Sequence, residues 1–302
     1  MSDIKFQKAV PQSLGAEKIA RPSISYFADA WQRLRRNPVA MVSLVLIILF
    51  FFLAVFGSSL RGLDYTRINA KAKNQGISAQ FWFGADDMGR DLFSNLWLGL
   101  RVSLIVALVC GFIQIVAGSL IGGIMGYFGG VIDIAVMRVI EIISAVPSLL
   151  VTMIIMMVLG NGVFSLLVAI SVTSWCGTAR QIRGQVMQLR EIEYILAAEV
   201  IGASSFRTIL KHLLPNTVGI IIVNLTCSIP TYIFIESGLS FVGLGLQPPN
   251  ISLGTLIASG QVHMDFSPHQ LFFPCLILCL TVLAFNLLGD GLRNALDPRL
   301  RR

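Results

Sequence analysis

The run VAMVSLVLIILFFFLAVF, Val39–Phe56, decides the fold of this chain. It has no charged residue, and as a helix it rises about 27 Å, close to the roughly 30 Å thickness of a bilayer's hydrocarbon core. It follows WQRLRRNP (Trp31–Pro38), too late in the chain and behind too many basic residues for a cleaved signal, so it reads as a retained span. Working outward, five further apolar runs appear, at Leu100–Tyr127, Ile134–Leu159, Val163–Ala179, Val218–Ile235 and Leu271–Leu288. Each is near or above the length that crosses a bilayer once tilt is allowed for. Composition agrees, since 13% of the 302 residues are charged and 55% hydrophobic, against about 25% charged in a soluble domain. The expectation is an all-α polytopic membrane protein of about six transmembrane helices.

Lysine and arginine orient it. Seven lie in the segment through Arg36, five between Arg180 and Lys211, and four in the tail from Arg293, while residues 237–270 have none. The positive-inside rule then places both termini in the cytoplasm. Cytoplasmic segments are expected at 1–38, 180–216 and 291–302, external loops at 57–99 and 237–270, and a transmembrane domain over 39–290. The 57–99 loop carries five basic and four acidic residues and argues little either way. The net charge of +7 is a topology signal rather than a nucleic-acid surface.

Catalytic chemistry finds little support. Cys110, Cys176, Cys227, Cys275 and Cys279 all fall in apolar runs and read as small core residues, with no ligands to complete a metal site. His263, Asp265 and His269 share a loop without metal-site spacing, and the tandem Asp86–Asp87 has no nucleophile beside it. The chain contains no Gly-Lys dipeptide and so no phosphate-cradling GxxxxGK[ST] loop. A secondary transporter is the other class weighed, but no inverted repeat is evident, and only neutral polar residues fall at mid-span.

One stretch is too polar to span and too ordered to dismiss: AAEVIGASSFRTILKHLLPN, Ala197–Asn216. The dozen residues between Gly202 and Pro215 reach only about 18 Å as a helix. Phe206, Ile209, Leu210 and Leu213 recur at helical spacing and form an apolar face, with Ser204 or Ser205 as cap and Pro215 as terminator. The pattern fits a connector helix resting on headgroups, or a docking surface for a cytoplasmic partner.

That stretch resembles the loop motif of ABC-importer permeases, with Ala197, Ala198, Gly202, Leu214 and Pro215 at the matching positions and Leu196 where the motif has a glutamate. FGADDMGRDLFSNLWLGLRVSL (from Phe83), MRVIEIISAVPSLL (from Met137), ESGLSFVGLGLQPP (from Glu236) and NLLGDGLRNALDPR (from Asn286) are similar to the C-type permease subunit of dipeptide and oligopeptide importers, in the same order. The resemblance implies the type I ABC importer permease fold in a bacterial plasma (inner) membrane. It also implies a homologous second permease, an extracytoplasmic peptide-binding protein, and two cytoplasmic ATPase subunits that hold ATP and Mg, with no cofactor on this chain. Residues 197–215 would then carry the coupling helix, contacting an ATPase through Gly202, Ala203, Ser204, Ser205, Phe206, Ile209 and Leu210 and framed by Ala197, Ala198, Leu214 and Pro215. The expected solute is an oligopeptide or dipeptide, with nickel, glutathione and haem permeases as relatives.

Polar residues inside spans mark a second candidate site. Asn224, Ser228 and Thr231 fall on one face of the fifth span, with Glu236 towards its outer end. That face reads equally as the wall of a translocation path or as hydrogen-bonding glue between helices. Gly118, Gly122 and Gly126 form a packing stripe, Pro147 and Pro230 static bends, and Arg138–Glu141 a local ion pair.

Overall fold

The computed structural model describes residues 26–61, 68–247 and 250–296. The described residues are helical throughout their ordered elements. An amphipathic helix α1 (Tyr26–Arg35) leads into α2 (Pro38–Phe56), which is capped by Asn37: its side-chain oxygen accepts from the Val39 and Ala40 amides, and Pro38 occupies the first turn. After the loop come α3 (Leu92–Phe128), α4 (Gly130–Ser144), α5 (Ser148–Leu159) and α6 (Val163–Arg190). The short α7 (Glu193–Val200), α8 (Ser205–Thr208) and α9 (Leu214–Asn216) precede α10 (Val218–Phe241), α11 (Leu253–Val262) and α12 (His269–Leu296).

Five helices, α2, α3, α6, α10 and α12, are long and apolar enough to cross a membrane. The expected third span is instead a broken pair, since α4 and α5 meet at 79°. Pro147 is the physical reason. It lacks an N–H, biases Val146 away from helical geometry, and sits at the cap of α5 with ψ 126°. Pro230, by contrast, is carried inside a continuous α10, and Pro274 likewise inside α12.

Element ends differ from expectation in one direction. Helix α3 starts at Leu92 rather than near residue 100, because Asp91 caps it: its carboxylate accepts from the Ser94 amide at 2.9 Å and the Ser94 hydroxyl at 2.7 Å. Helix α6 runs to Arg190 and α12 to Leu296, well into segments expected as loop and tail. Hydropathy marks where a helix meets water, not where its hydrogen bonds stop. The ten-residue α11 lies inside the expected 237–270 loop, and its cap was readable: Ser252 and Thr255 form a reciprocal capping box.

The bundle is built on α3. Cβ atoms at Gly118, Gly122 and Gly126 would fall 2.7 Å from Thr178 Cβ, 2.5 Å from the Ala179 carbonyl and 2.8 Å from the Arg183 carbonyl, so the three glycines admit the backbone of α6. Leu96, Leu100, Leu104 and Ala107 of α3 pack with Ile233 of α10 and Ala284 and Phe285 of α12 in the main core. The outward faces of α2, at Val42, Val45, Leu49 and Phe52, are exposed and apolar, as a lipid-facing surface requires.

Candidate functional site

Residues 205–216 form one helical segment, but not an ordinary one. Between α8 and α9 the turn Ile209–Leu213 is a π-helix, closed by the Leu214 amide on the Ile209 carbonyl. Pro215 therefore does not end the helix; it lies inside α9. The widened turn precedes the proline, whose ring would otherwise press on the carbonyl four residues back. Ser204 takes the N-cap position with ψ 145°, yet its side-chain oxygen accepts no cap hydrogen bond. Gly202 has φ +93°, and a Cβ there would meet nothing within 4 Å. Its role is conformational: it supplies the left-handed turn between α7 and α8.

The apolar positions expected on one face divide. Ile209 is 2% exposed and Leu213 fully buried, packed with Ile182, Val186 and Ile195 and against Tyr127, Leu189 and Ile220. Phe206, at 64% exposure, and Leu210 stand outside with Arg207 and Lys211. Ile209 thus belongs to the root of the segment and not to its free surface. Asn216 fastens the far end, its amide donating to the Tyr194 hydroxyl at 3.0 Å and the His212 carbonyl at 2.6 Å. Among the framing residues, Ala197 and Pro215 are exposed, Leu214 is half-buried, and Ala198 lies in α7, its side chain outside the described set; Ala203, an expected contact, is half-buried.

Asn224, Ser228 and Thr231 do come together, lining a cavity of about 360 Å³ with Gln114, Gly177, Thr178, Gln181, Cys227, Tyr232 and Arg293. Its deep end is a closed hydrogen-bond chain: the Tyr232 hydroxyl donates to Gln114 at 2.6 Å, and the Gln114 amide donates to Thr178 at 2.7 Å. Nearer the mouth the Asn224 amide donates to Gln181 at 2.5 Å, joining α10 to α6. The Ser228 hydroxyl turns back onto the Asn224 carbonyl. Arg293 is the one charged side chain in this lining. Gln114 was missed in the sequence, although an amide within an apolar run was the available signal, and Gln181 was missed because it lies past the end of the Val163–Ala179 run, beside Arg180.

Glu236 is not part of this wall. It is fully buried, and its carboxyl accepts from Ser103 at 2.7 Å, Ser240 at 2.9 Å and Ser237 at 3.3 Å. Ser103 also accepts from the Leu253 amide, so the cluster ties α3, α10 and α11 together. Asp86 is similarly occupied, holding the Met88 and Arg90 amides, the Arg90 guanidinium and the Asn95 amide. Asp91 pairs with Arg61 at 2.7 Å, and Arg61 stacks over Trp82. These carboxylates are scaffold, and among the described residues no three metal-ligating side chains cluster. Arg138 and Glu141 form the expected local pair at 2.7 Å on an exposed surface.

Comparison with known proteins gives the family. Residues 118–302 match the binding-protein-dependent transport system inner membrane component family, and residues 25–76 match the N-terminal TM domain of oligopeptide transport permease C. The chain is 45% identical to the dipeptide transport system permease protein DppC of Bacillus subtilis (strain 168), over 95% of this chain and 90% of that one. It is 40% identical to the oligopeptide transport system permease protein OppC of the same organism, over 98% and 97%. Identity to the glutathione transport system permease protein GsiD of Escherichia coli O6:K15:H31 is 38%, over 90% of each. The fold is similar to that in a structure of the MetNI methionine ABC transporter in inward-facing conformations, with TM-score 0.51 at 20% identity, covering 67% of this chain and 96% of that one. The larger family match begins at the glycine stripe and runs through the exposed tip and the α10 side of the cavity, and the chain belongs to the binding-protein-dependent transport system inner membrane components, the permeases of ABC importers.

Proposed function

We propose that the chain forms half of the translocation path of an importer for oligopeptides or dipeptides, and couples that path to ATP hydrolysis on partner subunits. The observation that carries this reading is the division of residues 205–216. One side, Ile209 and Leu213, is buried against helices of the bundle, and the other, Phe206, Arg207 and Leu210, is exposed. A segment built in this way transmits force from a partner to α3, α6 and α10, because the root contacts Tyr127, Ile182 and Ile220 on those helices. In this reading both termini and the tip are cytoplasmic, and each of two ATPase subunits, holding ATP and Mg, grips the tip of one permease. A homologous second permease completes the cavity that Asn224, Ser228 and Thr231 line, and an external binding protein delivers the solute. The peptide assignment rests on the names of the dipeptide and oligopeptide relatives.

The deciding experiment is Phe206→Asp in the purified complex. A charge placed in the tip contact costs several kcal/mol of binding while leaving every span intact. ATPase subunits then fail to co-purify, or hydrolysis no longer responds to loaded binding protein. Normal co-purification with coupled hydrolysis would refute the coupling role. The solute is tested separately, by uptake of labelled dipeptide, oligopeptide, glutathione and nickel in cells lacking other importers; uptake of glutathione or nickel alone rejects the peptide assignment.

A further inference from the structure

Helix α1 has two faces with different neighbours. Ala30 and Leu34, four residues apart, turn inward: Ala30 packs with Val223 of α10 and Leu296 of α12, and Leu34 with Ala40 and Ala295. The adjacent stripe, Phe27, Trp31 and Arg35, repeats at the same spacing. Phe27 is 58% and Trp31 49% exposed, and Arg35 is exposed beside them. Arg33, on the polar side, is tied to Asp29 at 3.1 Å.

The occupant of that stripe follows from where α1 sits. Only Arg36 and Asn37 separate it from α2, whose outward residues Val39, Val42 and Val45 are exposed and apolar. The stripe is therefore continuous with the lipid-facing surface of a membrane-crossing helix, at the level where that helix enters the bilayer. Aromatic rings at this depth seat in the interface, and an arginine one turn further along reaches phosphate. We propose that α1 is a binding site for an anionic phospholipid, with Trp31 in the acyl layer and the Arg35 guanidinium on the headgroup phosphate. The site lies directly behind the cavity: the cluster that receives Ala30 includes Cys227 and Leu292, and Cys227 also lines the cavity wall. Headgroup charge thereby bears on how firmly α1 clamps the ends of α10 and α12.

Trp31 is its own reporter. The intact complex is placed in nanodiscs containing either brominated phosphatidylglycerol diluted in plain phosphatidylcholine, or brominated phosphatidylcholine diluted in plain phosphatidylglycerol. The tryptophan quenching of Trp31→Phe is subtracted from that of the wild type. The expected result is quenching of Trp31 in both, stronger by about fivefold with the brominated anionic lipid, the preference that one basic residue at an anionic surface supplies. Arg35→Gln removes the preference and keeps the quenching, whereas Lys71→Gln, in the loop between α2 and α3, alters neither. Absence of quenching by either lipid means that protein covers the stripe and overturns the proposal. Equal quenching by both lipids in the wild type overturns it as well, since the seat would then be apolar only.

Discussion

The two ends of the bundle treat polar side chains in opposite ways. At the end formed by the 57–91 loop and α11, the carboxylates of Asp86, Asp91 and Glu236 are buried, each held by several donors of the same chain. At the end formed by α8, α9 and the last turn of α12, Arg207 and Arg293 stand exposed on elements whose opposite sides are packed, and half-buried Asn224 of α10 faces the cavity. A saturated polar group is scaffold. A rooted but uncovered one leaves its polar atoms open to another molecule. Glu236 and Asn224 share a helix, yet burial and partners assign them to different ends of this contrast.

Asp91→Ala should break the saturated end most severely, because it deletes the α3 cap and strands Arg61. The expected loss is about 3–5 kcal/mol, read from thermal unfolding in detergent. Asp91→Asn sharpens the point by keeping the cap while removing the ion pair, and should fall between that variant and wild type. Glu236→Leu takes the carboxylate acceptor from Ser103, Ser237 and Ser240, though Ser103 and Ser240 still accept from the Leu253 and Leu246 amides, and should lower stability by about 1–3 kcal/mol in all. A normal melting temperature in either Asp91→Ala or Glu236→Leu would erase the distinction drawn here. Asn224→Leu, at the open end, should lower uptake about tenfold with assembly and melting unchanged, equivalent to roughly 1.4 kcal/mol at the path. Loss of assembly instead, with normal transport by any residual complex, would make Asn224 glue between subunits. Arg138→Gln should change neither uptake nor melting, since exposed pairs contribute about 0–1 kcal/mol.

Much of this was legible in the sequence. The spans around Val39–Phe56, Leu100–Tyr127 and Leu271–Leu288 follow from hydropathy alone, and the glycine spacing at 118, 122 and 126 foretold a close helix contact that α6 fills. The shared face of Asn224, Ser228 and Thr231 also appears as one cavity wall. What escaped was non-local. Nothing near Glu236 announces Ser103, 133 residues away in the chain. Helical spacing groups Phe206 with Ile209, but it cannot say which side of a surface helix the bundle covers. At Pro147 the bend was expected but its size was not: a proline is compatible with one continuous helix, as at Pro230, or with two helices, and neighbouring packing decides.

The π turn has a consequence for how such a chain can change over generations. Buried Ile209 and Leu213 alternate with exposed Phe206 and Leu210 inside a single two-turn stretch. Substitutions at the outer pair touch no core contact, so that surface can drift to suit a different protein while the inner pair stays constrained by volume. If the outer pair carries the docking proposed above, recognition and foldedness lie on interleaved positions of the same helix, and a transplant of Phe206, Arg207 and Leu210 alone should carry docking preference from one permease to another without disturbing either fold.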